Sequence, residues 1–232
     1  MRIVAGALLL AAVILPDGVS AQDKAQKVRE ALPPEVASQV EAIVQAASEA
    51  GLPTAPLYDK ALEGAAKRVP PARIVPAISS YADRLRTARQ VMGLSREPWI
   101  VAGADALGRG VSADALSRVV DERANQGPMA VVVLGDLVES GVPTDHALEV
   151  VREAVRSGQE EADMVAISGT VDRLIREGDA PPDAARRLVR HMRRGLPVRR
   201  VHDVPRDLVR DRPGPPVAPG VETTDKPKPP GG

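Results

Sequence analysis

The chain of 232 residues contains no cysteine and no phenylalanine, one tryptophan, two tyrosines and three histidines. The missing cysteine excludes disulfides, thiol catalysis, thiolate metal sites and lipid attachment through an N-terminal cysteine. The scarcity of aromatics leaves the core to Ala, Val, Leu and Ile. It also leaves few rigid rings to line a ligand pocket, where they are ordinarily concentrated, or to stack on bases. No charge excess exists in either direction: Lys plus Arg and Asp plus Glu both number 31. Global charge therefore points to neither a nucleic-acid nor a membrane partner, and no nucleic-acid binding is expected.

Long apolar runs are absent except at the start. Met1-Arg2 is a short positive segment, followed by the apolar run Ile3–Leu15, Pro16, Gly18 and then Val19-Ser20-Ala21. The run is well short of the ~20 residues a membrane span needs. The layout is that of a signal peptide over residues 1–21, cleaved after Ala21. The expectation is an exported protein, periplasmic or extracellular, from a bacterium. Removing residues 1–21 takes Arg2 and Asp17, one charge of each sign, so the balance survives.

What is present is a repeated phrase. "LGRGVSADALSRVVDERANQ" begins at Leu107, and its echo "ESGVPTDHALEVVREAVRSG" at Glu139. Gly110, Val111, Asp114, Val119 and Val120 align with Gly141, Val142, Asp145, Val150 and Val151, all 31 residues on. Weaker copies start at Leu32, Gly51, Arg68 and Gly178. Each part has a physical role. Gly51, Gly110, Gly141 and Gly178 suit a helix end, where the left-handed conformation costs glycine little. Pro33, Pro53, Pro70, Pro143 and Pro181 suit a first helical turn. Glu35, Asp114, Asp145 and Asp183 complement the positive end of the helix dipole. An apolar pair then faces inward at helical spacing, as in Ala147, Leu148, Val150 and Val151.

The phrase marks joints between short helices, and no stretch alternates with period two. "MAVVVL" at 129–134 continues a helical stripe through Leu137 and Val138 and is read as helix. Pro76 falls inside another helical pattern, where a kink is expected. The predicted fold is all-α: an irregular helical-hairpin repeat, either an α-solenoid-like stack or a compact bundle, of about eight helices over residues 32–195. The repeat spacing falls among helical-repeat periods, but the tetratricopeptide positions are not filled. Residues 22–31 read as a flexible lead-in or the first turn of a helix, and residues 196–232, rich in Pro and charge, as a disordered tail.

No catalytic, cofactor-binding or metal-ligating set is expected. His146, His191 and His202 lack metal spacing. "GADALGRG", residues 103–110, lacks the Lys and hydroxyl of a phosphate loop and reads better as a helix end. Ser168 lies in "AISGT" without a nucleophile elbow. Glu160, Glu161 and Asp163 suit a helix start more than a cation site, since the EF-hand pattern is absent.

Two features remain as contact candidates. Trp99, the single tryptophan, follows Pro98; it is either a binding anchor or a packing residue. Arg186, Arg187, Arg190, Arg193, Arg194, Arg199 and Arg200 open a basic segment that runs to Arg212 with only Asp203, Asp207 and Asp211 opposing it. It could contact an anionic partner such as lipid headgroups or a cell-wall polymer, or be a solvated last helix. The leading expectation is a non-catalytic interaction or scaffold protein of the envelope with a protein partner. Behind it stand a binder of anionic surfaces through 186–212 and, last, an enzyme with a site of scattered residues.

Overall fold

The structure, a computed structural model, describes residues 21–93, 96–122, 127–159 and 161–198. Among them are ten α-helices and no strand: α1 Ala21–Ala31, α2 Pro34–Glu49, α3 Ala55–Ala66, α4 Pro71–Met92, α5 Glu97–Gly108, α6 Ala113–Glu122, α7 Met129–Glu139, α8 Thr144–Arg156, α9 Glu161–Arg176 and α10 Pro181–Arg193. The all-α repeat expected from the joint phrase is what the chain forms, and the 129–134 segment is helical within α7.

The joints have one geometry. Gly51, Gly110, Gly141 and Gly178 have φ of +66°, +96°, +85° and +101°. At Gly110 the amide donates to the Leu107 carbonyl and the next amide, of Val111, reaches back to Ala106. The same pair of bonds recurs at Gly51, Gly141, Gly158 and Gly178. This is the Schellman closure of a helix C-terminus, with the residue after the glycine turned inward. Leu52, Val111 and Val142 fill that inward position and are buried. The acids Glu35, Asp114, Asp145 and Asp183 stand in first turns as expected.

The prolines sit one residue earlier than their role in the phrase implied. Pro33, Pro70 and Pro143 occupy the N-cap with extended backbone, φ/ψ near −55°/143°, −52°/133° and −56°/139°. Their carbonyls accept the first helical bonds, from Ala37, Arg73 and Ala147. Pro53 lies one residue further out, before the N-cap Thr54, and Pro181 alone of the five is inside its helix. α4 runs unbroken through Pro76.

The substantial packing contacts all join helices one or two places apart in the chain: α1 meets α2 and α3, α2 meets α3 and α4, α7 meets α8 and α9, and α8 and α9 meet α10. No such contact joins the two ends. The fold is therefore a linear stack, in which each helix depends on its near neighbours. Side chains link helices two places apart. Arg89 of α4 donates to the carbonyls of Ala50 and Gly51 at 2.5 and 2.9 Å, capping α2.

A core without Phe closes by bringing helices near one another. A Cβ on Gly103 of α5 would stand 2.9 Å from the Ala88 Cβ of α4, and one on Gly135 of α7 would stand 3.2 Å from the Ala106 Cα of α5. Such crossings keep the apolar layer dense with small side chains. All three aromatics are used here: Tyr58, Tyr81 and Trp99 are buried.

Two boundaries differ from the sequence reading. Residues 22–31 belong to α1, whose Ala25 and Val28 are buried together with Leu32 just beyond it. The helix is pinned by Lys24–Asp59 at 2.7 Å and Arg29–Glu41 at 2.5 Å. At the other end the chain stays packed past Gly195. Val198 is fully buried, and His191 Nε2 donates to the Pro197 carbonyl at 2.9 Å. Of the tail expected over 196–232 and the signal segment expected over 1–21, residues 199–232 and 1–20 lie outside the described residues.

Candidate functional site

The arginines of α10 were the strongest surface candidate, and the fold gives most of them acidic partners. Arg186 bonds Asp183 at 2.5 Å and stands 2.9 Å from His146 Nε2 of α8, whose lone pair accepts. Arg187 is 6% exposed and bonds Asp179 at 3.2 Å, so it holds the α9–α10 joint to α10 and faces no solvent. Arg190 is half-buried, with its Nε shielded from water and without a partner. Arg193 lies between two carboxylates of α8, Glu149 at 2.8 Å and Glu153 at 3.2 Å. Those bonds hold its guanidinium pKa above the ordinary value. Arg194 is exposed at the end of α10. Arg199 and Arg200 lie outside the described residues.

Beyond Asp183 in the first turn of α10 itself, the acids that neutralise this segment come from α8 and from the turn before α10. That placement follows from stacking helices two places apart and is invisible in a local charge tally. Glu153 is buried, with Arg156 and Arg193 both on its carboxylate. These groups border a groove of about 580 Å³ whose apolar lining includes Val119, Ala130, Val151 and Val155. It combines an aliphatic floor with a rim of both charge signs.

Trp99 is 5% exposed in α5 and packs in the core, so it is a packing residue and offers no surface to a partner. His191 is buried and bonded to backbone. Ser168 donates to Asp136 of α7 at 3.1 Å, an interhelical bond. Gly103 and Gly108 are inside α5, and Gly110 follows its end, where carbonyls point and a phosphate would be repelled. Asp163 is buried within α9; Glu160, the Glu161 side chain and His202 are outside the described residues. Among the described residues no three His, Asp or Glu side chains gather as a metal site would require, and no helix is long and apolar enough to cross a membrane.

A second cluster escaped the sequence reading. Lys60, Lys67, Arg73 and Arg84 of α3 and α4 surround a cavity with Glu63 as the one carboxylate in its lining. The signal was there: from Lys60 to Arg73 the chain carries four cations and one acid. It went unnoticed because a proline-marked joint divides the segment between two helices.

No family model, curated protein or solved structure matches this chain.

Proposed function

We propose that this protein is an exported, non-catalytic interaction or scaffold protein of the bacterial envelope. The observation that carries the reading is the linear stack. Helices that pack only on near neighbours leave an extended flank along the whole domain, the kind of surface helical repeats offer to protein partners. The α8–α10 groove adds an apolar floor with charges of both signs, which suits a protein segment better than a uniformly charged polymer. Export rests on the signal-like layout of residues 1–21; cleavage after Ala21 would leave a mature chain that begins in the first turn of α1.

A second reading, contact with lipid headgroups or a cell-wall polymer through residues 186–212, draws on Arg186 and Arg194, whose side chains face solvent. Arg186 is nonetheless paired with Asp183 and Arg193 with Glu149 and Glu153. That pairing favours the protein partner.

The test is a pull-down from envelope extract with two baits, residues 22–232 and a version ending at Val198, which keeps that buried residue, each at low and high salt. The scaffold reading expects one defined partner on both baits, retained at high salt. Capture by the longer bait alone, lost as salt screens exposed charges over ~8 Å, would replace it with the anionic-surface reading.

A further inference from the structure

α3 and α4 meet along two matched stripes. On α3 and its C-cap, Lys60, Gly64 and Lys67 fall at helical spacing on one side; on α4, Arg73, Ala77 and Arg84 do the same. Between them lies a cavity of about 310 Å³, at the lower end of the ~300–1,000 Å³ that small-molecule sites occupy. It exists partly because position 64 has no side chain. A Cβ there would stand 3.3 Å from the Ile74 side chain.

The charges around this cavity are not balanced as those of the α8–α10 groove are. Glu63 is shared by Lys67 at 2.5 Å and Lys60 at 3.7 Å. Arg73 and Arg84 make no ion pair among the described residues; Arg84 has one bond, to the Ser80 hydroxyl at 3.0 Å, and its Nε is buried without a partner. Lys60 and Arg84 also stand over the same buried ring, Tyr81, at 5.3 and 5.4 Å from its centre. The other acids near that ring are Asp105, beside the Tyr81 hydroxyl, and Asp59, which Lys24 pairs at 2.7 Å. The arrangement gathers like charges around one space, and an anion placed there would relieve their repulsion. Beneath the cations the lining is aliphatic, from Val69, Ile74 and Ile78.

We propose that the α3–α4 groove binds a small anionic amphiphile, its head group held by Lys67, Arg73 and Arg84 and its short alkyl chain laid on Val69, Ile74 and Ile78. The head group is a carboxylate or a phosphomonoester, since both present oxygens that lysine and arginine can share. This site lies on α3 and α4, apart from α8 and α10, and stands or falls without the scaffold reading.

The test is calorimetric titration of the mature chain, residues 22–232, with octanoate, octyl phosphate, inorganic phosphate and octyl glucoside. One saturable site is expected for octanoate, octyl phosphate or both, and which of them binds tighter assigns the head group. Inorganic phosphate and octyl glucoside, each carrying half of the recognition, are expected to bind at least roughly tenfold more weakly. Lys67→Glu with Arg73→Glu, both on the surface, should weaken the amphiphile by roughly tenfold or more while leaving the thermal melt in place. Glu63→Gln should tighten it several-fold by removing the competing carboxylate. Octyl glucoside binding as well as octanoate, inorganic phosphate as well as octyl phosphate, no saturable binding, or affinity indifferent to the charge reversal would each overturn the proposal.

Discussion

Ser140 Oγ donates a 2.6 Å hydrogen bond to the carboxylate of Asp172, joining the end of α7 to α9. One turn earlier Ser168 of α9 donates to Asp136 of α7 at 3.1 Å. The two bonds use the same pair of residue types with the helices exchanged, and both span 32 residues. Residues four apart on α7 meet residues four apart on α9 in the same order, so the two helices run parallel. On the other side of the stack His146 meets Arg186 and Glu153 meets Arg193, again in the same order, so α8 and α10 are parallel too. Polar ladders thus set the register of helices two places apart, while aliphatic contacts supply the burial.

The α7–α9 ladder can be measured by a double-mutant cycle. Both partners are half-buried, and a hydrogen bond to a charged group contributes about 1.5–3 kcal/mol. Ser140→Ala and Asp172→Ala should each destabilise the domain by about 1–2 kcal/mol in urea unfolding, with a coupling of about 1 kcal/mol in the double variant. Additive effects would mean that the bond sets no register.

Arg68 is the one non-glycine residue with positive φ among the described residues, at 55°. It occupies the joint position that glycine fills elsewhere, with the same closing bonds: its amide to Ala65 and that of Val69 to Gly64. A side chain in the left-handed region costs about 1 kcal/mol relative to glycine. Arg68→Gly should therefore stabilise the protein by up to about 1 kcal/mol, read as a higher urea midpoint at unchanged slope. A loss of stability would show that the Arg68 side chain contributes more than its backbone strain removes.

How much of this was readable in advance depends on distance along the chain. The joint phrase was legible because the Schellman closure is local: Gly110 and Val111 carry its whole requirement. α1 was mistaken for a lead-in because Ala25, Val28 and Leu32 are a thin apolar stripe in a polar stretch, and only α2 and α3 show what it covers. The arginines of α10 looked like an uncompensated basic segment because Glu149 and Glu153 lie about forty residues upstream on α8. Nothing local to Arg193 says that the helix two places back will supply its partners. Trp99 posed the same difficulty: its spacing fits both an anchor and a core residue, and burial decides between them. The Lys60–Arg84 cluster went unread because a proline-marked joint divides it between two helices.

Two helical glycines should respond oppositely to alanine. Gly103 faces α4, and a Cβ there falls 2.6 Å from Met92 Sδ and 2.9 Å from the Ala88 Cβ. Methionine can move, but the Ala88 Cβ moves only with its helix, so Gly103→Ala should cost about 1–3 kcal/mol by overpacking. Gly169 is exposed in α9, with nothing within 4 Å of its added Cβ. Gly169→Ala should gain about 0.5–1 kcal/mol from helix propensity. Thermal melts of the two variants test both signs, and a stabilised Gly103→Ala would mean that α4 and α5 do not approach this closely.

Glu63 gives a pH signature. Its carboxyl pKa lies below the ordinary value because Lys67 hydrogen-bonds it and Lys60 and Lys67 attract its charge. A depressed folded-state pKa contributes stability that is present above the unfolded value of about 4.3 and disappears as pH falls through the lowered folded value. The contribution is small, because the side chain is 47% exposed and water and salt screen the pair. In an NMR titration the Glu63 carboxyl should protonate below the ordinary glutamate range, and Lys67→Ala should return it toward that range. The difference in melting temperature between the native chain and Glu63→Gln should shrink on acidification and with added salt. A Glu63 that titrates in the ordinary range, or ignores Lys67→Ala, would show that the lysines do not close on it in solution. Their charge would then face the α3–α4 groove without any internal counter-ion.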